Sequence, residues 1–180
     1  MMKAIVLYSS RTGNTKKVAE AICSVLPKGT NCVDIKNSPE DLESYDCIFM
    51  GFWIDKGTAD SLAAEQIKKL HNPYIALFAT LGADPESEHA RKCLINAANL
   101  LPKGITSMNN FICQGAIDPK IIEMMYNMFP VGHPHGKTPE NDALHKRAST
   151  HPDDIDLKNA KIFAKNVWNK ICIERKSCHY

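Results

Sequence analysis

The sequence has cysteines but no pattern that would use them together. Cys23, Cys32, Cys47, Cys93, Cys113, Cys172 and Cys178 are seven, an odd number, and contain no Cys-x-x-Cys. That scatter argues against a disulfide framework and against a zinc ribbon. No stretch approaches the ~18 consecutive apolar residues that a membrane span requires. The apolar run near the N-terminus, Ala4-Ile5-Val6-Leu7-Tyr8, is shorter than the ~7–15 residues of a signal-peptide core. A reducing, cytoplasmic location is the expectation. Charge of one sign is also missing: 22 Lys and Arg stand against 20 Asp and Glu, giving +2. Such a balance excludes the broad basic field of a nucleic-acid binder. The dinucleotide signature Gly-x-Gly-x-x-Gly is absent. Gly132-His133-Pro134-His135-Gly136-Lys137-Thr138 falls one residue short of a nucleotide-triphosphate loop, holds a proline and follows no strand.

What is present is a chain of 180 residues, 44% of them hydrophobic, enough for one domain spanning 1–180 with a real core. Lys3–Tyr8 is a continuous apolar run and reads as a buried strand. Thr15–Leu26 puts Val18, Ala19, Ile22, Val25 and Leu26 on one helical stripe, which Pro27-Lys28-Gly29 ends. Further strands are expected over Asn31–Ile35, Asp46–Gly51, Tyr74–Ala79 and Asn110–Gln114. Helices are expected over Ala59–Leu70, Ser87–Leu101 and Leu157–Ile173, with a short helix or turn at Pro39–Tyr45. Strands alternating with helices imply right-handed crossovers and a mainly parallel sheet. Five strands fit an α/β doubly wound fold of order 2-1-3-4-5, with ligands at the carboxyl ends of the strands. The stretch of about 115–156 interrupts the alternation after strand five. It holds helical segments at Pro119–Phe129 and Glu140–Ala148 around a Pro/His/Gly segment, and too few apolar residues for a separate core.

The first strand leads into Ser9, Ser10, Arg11, Thr12, Gly13, Asn14 and Thr15, and Thr15 opens the first helix. A hydroxyl-rich loop with one glycine at a helix N-terminus suits a phosphate monoester. Backbone N–H groups face the anion, and Ser10, Thr12 and Thr15 add donors. Ser and Thr are also ordinary helix caps. Three hydroxyls with Gly-Asn directly after a buried strand favour phosphate binding. Ser10-Arg11-Thr12-Gly13-Asn14-Thr15 resembles the Thr/Ser-x-Thr-Gly-x-Thr phosphate loop of the flavodoxins, which bind FMN non-covalently on this fold.

The resemblance implies roles for two further loops. After strand three come Phe52, Trp53, Ile54, Lys56 and Gly57, where flavodoxins place an aromatic against the isoalloxazine. Trp53 is the candidate, with Phe52 as the alternative. Gly57 stands where the flavodoxin loop turns near flavin N5. Lys56 is either a solvated charge or a neighbour of flavin N1. After strand four, Thr80, Leu81 and Gly82 match the loop that bonds the pyrimidine through backbone groups, although no aromatic follows to cover the outer face. Gln114, at the end of strand five, is a candidate polar contact. His133, His135, His145 and His151, with Asp142, Asp153 and Asp154, lack metal-ligand spacing, and a solvated loop is the expectation there.

The resemblance implies an electron-transfer flavoprotein that binds FMN and works with a redox partner protein, a reductase or an electron donor. Trp53-x-x-Lys56-Gly57 and Cys113-Gln114-Gly115 are most similar to a subgroup found beside bilirubin reductases in gut anaerobes. An FMN-dependent oxidoreductase with its own small-molecule substrate, and a binding module that has lost the flavin, stay open at this point.

Overall fold

The computed structural model describes residues 2–177. Cys178 lies outside the described residues. The elements are β1 (Ala4–Tyr8), α1 (Asn14–Cys23), β2 (Asn31–Asp34), β3 (Cys47–Asp55), β4 (Thr58–Ala59), α2 (Ser61–Ile67), β5 (Tyr74–Leu81), α3 (Glu88–Ala98), β6 (Asn110–Gln114), α4 (Pro119–Met128), α5 (Pro139–Ala148) and α6 (Asp154–Ser177). The sheet order is β2-β1-β3-β5-β6, all parallel, with the two-residue β4 paired antiparallel to β3. Setting β4 aside, this is the expected 2-1-3-4-5 order. Among the described residues, no helix is long and apolar enough to cross a membrane.

Alternate residues of each buried strand serve opposite faces, because successive side chains point to opposite sides of the pleat. Ala4, Val6 and Tyr8 of β1 join Phe49 of β3 under α1 and α6, with Val18, Ile22, Phe163 and Val167. Ile5 and Leu7 join Ile48, Met50 and Phe52 under α2 and α3, with Ala63, Ile67 and Ala97. Each fully buried Ile, Leu or Phe in these layers contributes about 1.5–3 kcal/mol of transfer free energy. Gly51 makes room in the middle of β3: a Cβ there would lie 2.1 Å from Phe78 Cζ.

Several boundaries differ from the sequence reading, for physical reasons. Of the two alternatives for Pro39–Tyr45, a short helix or a turn, the chain takes turns. The third strand runs on to Asp55, since Phe52 and Trp53 still pair with Ala79 and Thr80, and Ile54 and Asp55 pair with β4. The helix expected from Ala59 therefore starts only at Ser61, where the Asp60 side chain accepts from the Ala63 N–H. The last helix begins earlier, at Asp154, so the excursion after β6 covers 115–153. β6 matches its expected bounds, Asn110–Gln114.

Candidate cofactor site at the carboxyl ends of the strands

Gly13 takes φ +91°, the left-handed conformation that a residue with a side chain rarely adopts, and turns the chain into α1. The Ser10 hydroxyl oxygen accepts from the Gly13 N–H at 3.2 Å and from the Lys16 N–H at 3.3 Å. The N–H groups of Asn14 and Thr15 find no acceptor among the described residues. Two unspent donors at a helix N-terminus, with the helix dipole behind them, make an anion cradle. A Cβ at Gly13 would meet nothing within 4 Å, so the approach to the cradle is open. Thr12 is exposed, and its oxygen accepts from Asn14 Nδ2 at 3.1 Å, which leaves its hydrogen free to point outward. The residues present therefore fit a terminal phosphate.

Other residues of the loop hold it in place. Ser9 is 5% exposed and spends its hydrogen on Asp60 Oδ1 at 2.8 Å, so towards a ligand it can only accept. Thr15 is 1% exposed, and its hydroxyl pairs with that of Thr80 at 2.9 Å. That pairing ties the phosphate loop to the end of β5. Asn14 Nδ2 also donates to the Ala116 carbonyl at 2.8 Å, tying the same loop to the root of the excursion. Gly115 fits there because a Cβ would come within 3.0 Å of Asn14 Nδ2.

On the neighbouring strand the two aromatic candidates separate. Phe52 is fully buried in the α2/α3 layer and has no surface to offer a ligand. The strand alternation that sinks Phe52 leaves Trp53 half-exposed, with the Arg11 guanidinium 5.6 Å from its ring centre. Ile54 packs against the core layer. Lys56 (φ 48°) and Gly57 (φ 80°) form a two-residue loop between β3 and β4, and both central residues carry the positive φ that such hairpins demand. The Lys56 side chain is exposed. The Gly57 carbonyl accepts from Asn96 Nδ2 of α3 at 2.9 Å.

The third loop is lined by backbone. Thr80 and Leu81 are 3% and 5% exposed, and Gln114, 6% exposed, donates from Nε2 to the Gly82 carbonyl at 3.2 Å. Gly82 makes room for Ile117, whose Cδ1 would lie 2.3 Å from a Cβ at that position. The first residues of the excursion thus pack directly onto this loop. Thr80, Leu81 and Gln114 are thus buried, with the Thr80 hydroxyl and the Gln114 Nε2 group paired inside the protein.

Sequence reasoning missed Asp60 and Asn96. Asp60 is 3% exposed, caps α2 and holds Ser9, while its Oδ2 is buried without a hydrogen-bond partner among the described residues. Burial pushes its carboxyl above the usual carboxylate range, against the Ser9 hydroxyl and the backbone N–H groups that pull it down. An Asp directly before an apolar helix is a readable cap signal; its bond to Ser9 is not. Nothing in the sequence marks Asn96.

The histidines of the excursion are absorbed locally. His133 stacks on Phe129 at 4.2 Å between ring centres, and Tyr126 hydroxyl donates to Asp142 and meets His145 Nδ1. His151, Asp153 and Asp156 come together at the start of α6. Asp153 Oδ1 accepts from the Ile155 and Asp156 N–H groups, and Asp156 Oδ2 accepts from the Asp153 N–H. These carboxylates close a helix end whose positive dipole disfavours a cation.

The flavodoxin domain family matches residues 5–165. The flavodoxin-like domain-containing protein BilS of Clostridioides difficile is 32% identical, covering 96% of this chain and 99% of its own. BilS of Clostridium symbiosum is 30% identical over 87% of this chain and 90% of its own. Among solved structures, oxidised flavodoxin 2 from Bacillus cereus shares the fold with a TM-score of 0.52 at 14% identity, over 93% of this chain and 99% of that one. A sheet of this order, ligand loops at its carboxyl ends and a family match across nearly the whole length lead to one assignment: the chain belongs to the flavodoxin-domain family.

Proposed function

We propose that the chain binds FMN non-covalently and carries electrons to a partner reductase. The observation that carries this reading is the anion cradle at the start of α1, set beside a half-exposed tryptophan at the end of β3. Bound FMN supplies the redox chemistry. The unspent N–H groups of Asn14 and Thr15 and the hydroxyls of Ser10 and Thr12 hold its phosphate. Arg11 adds positive charge between the phosphate loop and the ring. Trp53 gives the ring an apolar contact surface, and the Lys56-Gly57 hairpin borders its edge. The backbone of Thr80, Leu81 and Gly82 faces the opposite edge, with Gln114 fixing the Gly82 carbonyl. No side chain of this set is placed to act as an acid or base. The unit is the single 1–180 domain, working in the cytoplasm.

The partner best supported is a tetrapyrrole reductase, with bilirubin as its substrate. Supporting it are the Trp53-x-x-Lys56-Gly57 loop and the two relatives that carry the BilS name. The purified protein should show a flavin absorption spectrum and bind FMN more tightly than riboflavin, which lacks the phosphate. Equal affinities would remove the cradle from the site. Under anaerobic conditions the reduced protein should be reoxidised only when both the reductase and bilirubin are present. Reoxidation by a small molecule without a partner would favour an oxidoreductase with its own substrate.

A further inference from the structure

Strands β1 and β3 part at the cofactor end of the sheet. They pair as far as Tyr8 and Gly51, and the Ser9 N–H still donates to the Gly51 carbonyl at 2.9 Å. Beyond that point β1 gives way to the phosphate loop, while β3 continues to Asp55, paired through Trp53 with β5. The phosphate loop and Trp53 therefore lie on diverging segments, and Asp60 joins them. Its N–H donates to the Trp53 carbonyl at 3.1 Å. Its Oδ1 accepts from the Ser9 hydroxyl at 2.8 Å and from the Ala63 N–H at 3.3 Å. The Arg11 guanidinium over the Trp53 ring is a second link, but it lies at the surface, where water competes for it.

Helix capping alone does not account for Asp60. Ser or Asn caps a helix as well as Asp does, without burying a carboxyl. Here a carboxyl that is 3% exposed leaves Oδ2 with no hydrogen-bond partner among the described residues, which costs desolvation free energy. A polar group kept at such a cost calls for a role, and fixing one arrangement of its neighbours is the best attested.

We propose that the Ser9–Asp60 hydrogen bond sets the spacing between the phosphate cradle and Trp53, with Asp60 as the positioning residue, so that one ligand engages both at once. The inference rests on the FMN reading above, in which the phosphate lies at the cradle and the ring at Trp53. Two linked contacts reinforce each other only while their separation is fixed; where it fluctuates, the ligand must impose that order itself. Breaking the lock should spare each half of the ligand and weaken the molecule that spans both. Ser9 does not hold the phosphate directly. Its hydroxyl hydrogen is spent on Asp60 and its N–H on Gly51, and a phosphate oxygen needs a donor.

The test titrates the full-length protein with FMN and riboflavin, read by flavin fluorescence, and with inorganic phosphate, read by thermal shift. Ser9→Ala removes the bond and leaves the Asp60 cap on Ala63 in place. It should weaken FMN about tenfold, and riboflavin and inorganic phosphate less than about twofold. Asp60→Ala should give the same pattern, since its backbone N–H stays on the Trp53 carbonyl. Asp60→Asn, whose amide oxygen still accepts from Ser9, should keep FMN within about twofold of the wild type. Ser9→Ala combined with Asp60→Ala should bind FMN no more weakly than Asp60→Ala alone, because both remove one interaction. Unchanged FMN affinity in Ser9→Ala, equal losses for FMN and riboflavin, weakened inorganic phosphate, additive losses in the double variant, or no rescue by Asp60→Asn would overturn the proposal. Equal affinities for FMN and riboflavin in the wild type would sink the flavin reading and the lock with it. A wild type that prefers FMN, beside a Ser9→Ala variant that keeps the same preference, sinks the lock alone.

Discussion

Helices α1 and α4 have the same length and both follow directly from the carboxyl end of a strand, yet they are placed in opposite ways. α1 buries Thr15, Val18, Ala19, Ala21 and Ile22, whereas α4 buries none of its residues. Their sequences are comparably two-sided, with Ile121, Ile122 and Met125 of α4 matching the apolar stripe of α1. The difference is the order in which the sheet faces are used. α1 and α6 cover one face and α2 and α3 the other, so no bare sheet is left when α4 emerges from β6. An amphipathic pattern makes a helix; unoccupied apolar surface decides where it goes.

The largest expected effect that would test this contrast comes from Ile22→Ala in α1. Ile22 is fully buried, and its truncation should cost about 2–5 kcal/mol of stability, read by urea denaturation. A loss below about 1 kcal/mol would mean that α1 is no better anchored than α4. Next in size is Thr12→Val, which keeps the shape of an exposed loop residue. It should weaken FMN by about 1.5–3 kcal/mol while leaving riboflavin affinity and the unfolding midpoint unchanged. An unchanged FMN titration would reduce Thr12 to a turn residue.

A smaller pair of effects compares two acidic residues that each stand directly before a helix, Asp60 before α2 and Asp153 before α6. Asp60 titrates above the usual range through burial, so its protonated form favours the folded state. Its contribution is complete below the unfolded carboxylate pKa and is lost as pH rises through the raised folded value. Asp153, at the α6 end of the excursion, titrates below the usual range through the backbone N–H of Asp156. Its contribution is present above the unfolded pKa and is lost as pH falls through the folded value. Thermal melts across the acidic range should show Asp60→Asn gaining on the wild type as pH rises. Asp153→Asn should lose ground over the same interval, and parallel curves would refute the opposition. Smallest is Met128→Ser on α4, where the side chain is 62% exposed; stability should change by no more than about 0.5 kcal/mol in the same urea assay.

The alternation of buried runs and helical stripes made the parallel sheet and its order legible, because each βαβ unit is written locally. The phosphate loop was legible for the same reason: its hydroxyls and glycine are contiguous. What could not be read is what depends on register between distant segments. The extension of β3 to Asp55 needs partners on β5 and on β4, and only then does Phe52 sink while Trp53 stays half-exposed. Thr15 looks like a phosphate donor until β5 brings Thr80 against it. Asp60 and Ser9 lie far apart in sequence, and only the fold brings the hydroxyl to the carboxylate.

The phosphate loop is held by six hydrogen bonds to protein groups, linking Ser9 to Asp60, Ser10 to Gly13 and Lys16, Asn14 to Thr12 and Ala116, and Thr15 to Thr80. Its conformational entropy is therefore surrendered during folding and is not charged again when a ligand arrives. A site organised in this way captures a phosphate ester at a rate set by encounter, and affinity lost through a loop substitution should appear chiefly as faster departure.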